Sequence, residues 1–425
     1  MRMPDYRETR KKELRRNMVE GGKQDPSYDD EFYEGGEDRE QELRRHQSTR
    51  RRWRLRITVI AAVIILAVLA AVWLFVRYFK YTEYEESWNR QLGTGSYVAI
   101  TGFGSNVIKC SHDGARYIGV SGADIWADSY EMKSPGVYVN GEYACIYGIG
   151  ENLINIYNTA GKTGSAQTNL PVTKAVVSTS GVVAALVEDT SASYITFFSK
   201  DGTSIDITIK SLISGDGYPT DIALSPDGTQ LMAAYEYLDG LEFKSRIVFY
   251  DFSEIGKNIP NRLVGGFEEA FENSFIGRVR FINSTYSYAA GDTGIYFFSS
   301  KNLASPELVK EVPIEEEILS VFNYKNHVGL ITACESEEGT RRLMIYKQDG
   351  TQELDKIYSF DHSHLSTDGS YLYLYGSNRL MIMTLRGSVK YDGEFRGEPR
   401  FAVGGNLPGE YVVTFPSEIA EYKFR

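Results

Sequence analysis

The stretch IALSPDGTQLMAAYEYLDGLEFKSRIVFYDF, Ile222 to Phe252, carries the pattern on which the rest of the chain is built. A turn, SPDG (Ser225–Gly228), leads into the apolar run QLMAAYEYL; a loop follows, then RIVFYDF, which ends in aromatic residues. Runs rich in Val, Ile, Tyr and Phe bounded by Gly, Asp and Ser are strand-and-hairpin signals. The same order recurs in VSTSGVVAALVEDTSASYITFFSKDG (177–202), INSTYSYAAGDTGIYFFSSKN (282–302), YKNHVGLITACESEEGTRRLMIYKQDG (324–350) and LSTDGSYLYLYGSNRLMIMTLRG (365–387). GEYACIYGIGENLINIYNTAGK (141–162) fits too, SHDGARYIGVSGADIWADSYEM (111–132) less closely, and RFAVGGNLPGEYVVTFPSEIAEYKFR (400–425) ends the series.

Units starting near Asn106, Gly136, Val172, Thr220, Gly277, Ile318, Asp361 and Pro399 number eight. Their spacing, roughly 30–58 residues, brackets the length of a four-stranded propeller blade. The fold class expected is therefore all-β, a β-propeller of eight blades, with seven as the alternative because the first unit is the least regular. The last unit holds three strands, and SYVAITGF (96–103) precedes the first. This N-terminal strand is expected to complete the last blade and so remove an open sheet edge.

Ahead of the repeats lies ITVIAAVIILAVLAAVWLFV, Ile57 to Val76, with no charged residue. At 1.5 Å per residue it is about 30 Å long, the thickness of a bilayer's hydrocarbon core. Arg50, Arg51, Arg52, Arg54 and Arg56 crowd its N-terminal flank, whereas the other flank turns acidic at Glu83, Glu85 and Glu86. The positive-inside rule then gives a single-pass protein of the cell membrane, N-terminus cytoplasmic and C-terminal domain outside. Four segments follow: a disordered tail (1–56), a transmembrane helix (57–76) contacting the lipid bilayer, a stalk (77–93) and an extracytoplasmic propeller (94–425). The first 56 residues hold 16 Lys/Arg and 13 Asp/Glu, which leaves 30 against 44 for the remainder. So acidic an outer domain argues against nucleic acid as a partner.

Several motifs narrow the family. SPDG resembles turns of WD40-like propellers, and GADIWADSYEM (122–132), with Trp126 in mid-strand, resembles blades of quinoprotein-like propellers. The tail and span, YEM-x-x-P (130–135), GDGYPTDIALSPDGT (215–229) and RLVGGF (262–267) together resemble a family of unknown function. Its members are single-span, propeller-containing proteins of anaerobic Gram-positive bacteria. That resemblance implies architecture and location, and no activity.

Catalytic signals are sparse. No nucleophile elbow, H-E-x-x-H helix or phosphate loop occurs. His362 and His364, two apart on one strand face, are the weak metal candidates, and no third ligand accompanies them. Asp-Gly pairs at 201, 227, 349 and 368 read as hairpin turns rather than calcium loops. Three cysteines, Cys110, Cys145 and Cys334, are too few for a disulfide framework; a Cys110–Cys145 bridge competes with three buried thiols. A quinone-dependent enzyme would need a carboxylate-rich cofactor pocket on the ring axis, which the sequence does not assemble. The expectation is a non-enzymatic, cofactor-free binding or scaffold module at the cell envelope, with a protein or envelope polymer as partner. A single-span sensor whose tail recruits a signalling partner is the alternative, and a quinoprotein-like enzyme the second alternative.

Overall fold

The computed structural model describes residues 56–74, 78–92, 97–271 and 274–425. The arginine cluster at 50–54 and the tail up to residue 55 lie outside the described residues. Two units are present. The first holds a helix, Arg56–Leu74, of 19 residues, long and apolar enough to cross a membrane. Residues 75–77, the expected end of the span, are outside the described residues.

The second unit is an all-β, eight-bladed propeller in which each blade is a four-stranded antiparallel meander. The first strands of the blades begin at Ala99, Pro135, Val172, Tyr218, Ile276, Ile318, His364 and Phe401. Seven of these lie within three residues of the expected starts; blade 1 begins one strand earlier. First strands line the axis, where Ala99–Phe103 lies against both Pro135–Asn140 and Phe401–Gly404. Second and third strands are sandwiched between neighbouring blades. Gly294–Ser299, for instance, is buried at every position, so these strands read as continuous apolar runs. Outer strands have one wet face, and Ser204–Leu212 alternates accordingly.

The Asp-Gly pairs are turns. In SPDG, Gly228 sits at φ +76°, and Asp227 Oδ1 accepts from Ser225 Oγ (2.5 Å) and the Thr229 N–H (3.1 Å). Asp201, Asp349 and Asp368 make equivalent bonds to backbone N–H groups two residues on. Only glycine takes the left-handed position at little cost, which explains the recurring pair.

Ring closure departs from the sequence expectation. The strand that completes blade 8 is Tyr84–Gln91, paired antiparallel with Glu418–Phe424; SYVAITGF supplies the innermost strand of blade 1. Tyr84–Gln91, within the expected stalk, is thus a strand of the ring. Its sequence, YEESWNRQ, looks like a stalk because an outer strand is mostly exposed and needs few apolar residues. Tyr84 is its anchor, with ring centroids of Tyr391, Phe395, Tyr422 and Phe424 at 4.8 to 6.1 Å. Tyr81 N–H donates to Lys390 O and Thr82 N–H to Arg425 O, so the chain is tied to the ring at residues 81 and 82.

Side chains staple blade to blade. Tyr157 OH donates to Asp128 (2.7 Å) and Trp126 stacks on Tyr157 at 5.2 Å, joining blades 1 and 2. Asn140 donates to Val177 O, Ser180 to Asp227 O and Gly404 N–H to Asp368, while Lys109 reaches Pro416 O across the closure.

Candidate binding surface

The two candidate metal ligands have different hydrogen-bond partners. His362 precedes blade 7 and its Nε2 pairs with Ser320 Oγ at 3.0 Å, whereas His364 Nε2 accepts from the Arg400 guanidinium. A guanidinium donor occupies the lone pair a metal would use. Burial, then the Arg341 charge, holds the His362 pKa below its ordinary value. Among the described residues no group of three His, Cys, Asp or Glu stands close enough to hold a metal ion. Cys110, Cys145 and Cys334 are free thiols; burial pushes Cys110 up to about 12 and raises Cys145 as well.

At the axis one carboxylate is fully buried, Asp221 on the first strand of blade 4. Lys174 of blade 3 pairs with one of its oxygens and Arg280 of blade 5 with the other (3.3 Å). Backbone N–H groups of Ile222 and Val279 also donate to it, each at 2.8 Å. Arg280 then reaches across to blade 2, its guanidinium 4.9 Å from the Tyr138 ring centroid. This carboxylate is committed to two cations and two amides. It locks blades 2 to 5 together and is not arranged as an open ligand for an axial cofactor.

A different feature stands out on the rim. The ring has a hairpin face, carrying the loops between second and third strands and the links between blades, and an opposite face. Tyr84 pairs with Phe424, the end of a third strand, so the chain joins the ring at the opposite face. On the hairpin face the blade 4 hairpin, Gln230–Asp239 and Glu242–Asp251, projects furthest along with that of blade 6, His327–Ser336 and Gly339–Lys347. Blade 5 between them is short, with strands Tyr286–Gly291 and Gly294–Ser299. Aligned by the bulge that recurs in the first strands, before Asp221, Arg278 and Ser320, both long hairpins run four residues past Gly291. At about 3.3 Å per residue they rise about 13 Å above blade 5.

The blade 4 hairpin has two unlike sides. Tyr235 and Tyr237 alternate onto the side facing blade 3, where Arg246 covers Tyr237 at 4.8 Å and pairs with Glu268 at 3.1 Å. That side borders a cavity of about 490 Å³ between blades 3 and 4, also lined by Lys210, Ser211 and Tyr250. Ser245 faces blade 5, its hydroxyl accepting the Ile276 N–H at 3.1 Å. Phe243, two residues before Ser245, and its cross-strand partner Leu238 therefore face blade 5 as well. They are exposed, Leu238 at 60% and Phe243 at 78%, while Leu241 at the tip is 97% exposed. Phe275 is also exposed where the chain enters blade 5.

In the sequence this hairpin end looks like an ordinary loop between two strands. The signal lay in LDGLEF (238–243), where Leu238, Leu241 and Phe243 alternate with Asp239 and Glu242 around a Gly turn at a tip that is usually polar throughout. The blade 6 tip shows the usual pattern, with Glu335, Ser336, Glu337 and Glu338.

Solved structures show the same ring. Sqt1 from Chaetomium thermophilum matches with a TM-score of 0.54 at 12% identity over 80% of this chain and 98% of that one. The same protein bound to the N-terminus of the ribosomal protein L10 matches with a TM-score of 0.53 at 12% identity, over 80% and 100%. BamB from Moraxella catarrhalis gives 0.45 at 12% identity, over 80% and 100%. At 12% identity the two Sqt1 matches establish a common fold and nothing about ligands. No curated protein sequence matches the chain. Residues 77–424, which span the whole propeller, match DUF5711, and the chain belongs to this family of unknown function.

Proposed function

We propose that the protein is a membrane-tethered binding or scaffold module whose propeller presents its hairpin face to a protein partner at the cell envelope. The observation that carries this reading is the apolar end of the blade 4 hairpin. Leu238, Leu241 and Phe243 expose large hydrophobic surface at the end of one hairpin, and contiguous patches of that kind mark interaction sites. The 19-residue apolar helix and the arginines at its N-terminal flank support a single span with residues 1–56 in the cytoplasm and the ring outside. Lipid contact is then confined to 57–76, and topology rests on Arg50, Arg51, Arg52, Arg54 and Arg56. The commitment of Asp221 to Lys174 and Arg280 favours binding over chemistry at the axis.

Two measurements test it. Single cysteines introduced at Ser48 and Ser214, in a chain lacking its native cysteines, should differ in intact cells. Position 214 reacts with a membrane-impermeant maleimide and position 48 only after permeabilisation; the reverse pattern overturns the topology. Crosslinked detergent extracts that never yield a partner for the full chain, at any salt concentration, overturn the binding role.

A further inference from the structure

The trough above blade 5 has walls of opposite chemistry. One wall is the apolar side of the blade 4 hairpin, Leu238 and Phe243, with Phe275 at its foot. The other is the blade 6 hairpin, tipped by Glu335, Glu337 and Glu338. Glu315 and Glu317, exposed on the link from blade 5 to blade 6, extend the acidic side down to the floor; Ala333 N–H donates to Glu317 O at the base of the hairpin. None of these five glutamates has a cation within 4 Å among the described residues. The nearby arginines are engaged elsewhere, Arg341 with Asp361 (2.6 Å) and Arg342 with Glu316 (2.7 Å) and Asp355 (2.6 Å). Packed sheets stand about 10 Å apart, so walls two blades apart are about 20 Å centre to centre. Their side chains leave space for one α-helix, about 10–12 Å across.

We infer that this trough binds a basic amphipathic helix of a partner protein, its apolar stripe on Leu238 and Phe243 and its lysine or arginine face toward the glutamates of blade 6. The inference rests on the binding role proposed above and names the partner's chemistry. Apolar anchors beside a charged rim are the usual anatomy of helix-in-groove recognition. An anionic bilayer is repelled by the glutamates, and a second copy of the chain would bring acidic wall against acidic wall.

The test uses the full chain in nanodiscs of neutral lipid and a fluorescent 18-residue Leu/Lys peptide with a helical apolar stripe. An isomer of the same composition, ordered to destroy the stripe, is the control. Anisotropy should show at least tenfold tighter binding of the striped peptide. The variant L238D/F243D should lose at least tenfold, and E335Q/E337Q/E338Q at least threefold with a shallower salt dependence. L407D, exposed on the opposite face, should bind as wild type, and equal unfolding midpoints exclude misfolding. Affinities unchanged in both trough variants, or an equal loss in L407D, overturn the proposal. So does flotation with anionic vesicles, or a concentration-dependent dimer, that L238D/F243D alone abolishes. A photoreactive residue at 243 and another at 407, tried in cells, separate the two levels. Adducts only from 407 remove the trough and keep the binding role; adducts from neither remove both.

Discussion

Replacing Tyr84 with alanine tests whether the ring closes through the N-terminal strand. Tyr84 is half-buried, with four aromatic rings at centroid distances from 4.8 Å (Phe395) to 6.1 Å (Tyr391). Emptying a fully buried aromatic site costs about 3–5 kcal/mol. Half that burial, with edge-to-face contacts of about 0.5–1 kcal/mol lost alongside, gives about 2–3 kcal/mol for Tyr84→Ala. Unfolding entropy near 2.1 cal/mol/K per residue over a ring of roughly 350 residues converts this to a midpoint drop of about 3–4 °C. The control is Glu85→Ala. Glu85 pairs with Arg425 at 2.8 Å, but both side chains are well exposed, so the loss should stay within about 0.5 kcal/mol. Thermal unfolding of the full chain followed by tyrosine and tryptophan fluorescence measures both. A Tyr84→Ala midpoint no different from Glu85→Ala would refute the closure and restore residues 77–93 as a stalk. Truncation sharpens the contrast. A chain starting at residue 78 keeps the blade 8 ladder, whereas one starting at 94 bares the Glu418–Phe424 edge and should aggregate.

Other outcomes follow from single sites. Asp221→Asn leaves Lys174 and Arg280 without their buried counter-charge and should cost about 3–5 kcal/mol in denaturant melts; adding Lys174→Met and Arg280→Met should recover most of it. Gly202→Ala should destabilise more than Gly150→Ala although both sit at positive φ: a Cβ at 202 would lie 2.1 Å from Ser165 O, and one at 150 meets nothing within 4 Å. Asp201 has its carboxyl held down to about 2 by the Ser199 hydroxyl and the Thr203 N–H. A depressed folded pKa contributes stability above the unfolded value of 3.8 that is lost as pH falls toward 2, so Asp201→Asn should flatten the midpoint's pH dependence between pH 4 and 2. A wild-type slope in that window would contradict it.

Much of the ring was legible because its determinants are local. SPDG at 225–228 needs a glycine at positive φ and an aspartate that bonds its own turn, whatever the distant chain does. Residues 231–235 and 294–298 are apolar throughout because both faces are covered, so strand, turn and repeat length could all be read off. The closing strand was hidden for the complementary reason. YEESWNRQ spends one face in water, and its partner lies more than 300 residues away, so no local pattern marks the pairing. His362 and His364 show a related limit. A two-residue spacing would put them on one face of a strand, but the strand begins only at His364, and Ser320 from blade 6 and Arg400 before blade 8 claim them separately.

From the sequence alone came an all-β propeller of eight blades, the positions of its Asp-Gly turns and an apolar helix of membrane-spanning length. These properties reside in contiguous residues and in the conformational preferences of short segments. Three others were decided by the tertiary structure: which strand shuts the ring, that Asp221 is buried between Lys174 and Arg280, and that Leu238 and Phe243 stand exposed on the side of their hairpin toward blade 5. Each depends on which blade stands beside which and on how far neighbouring hairpins rise. Circular packing sets those relations, and linear order does not encode them.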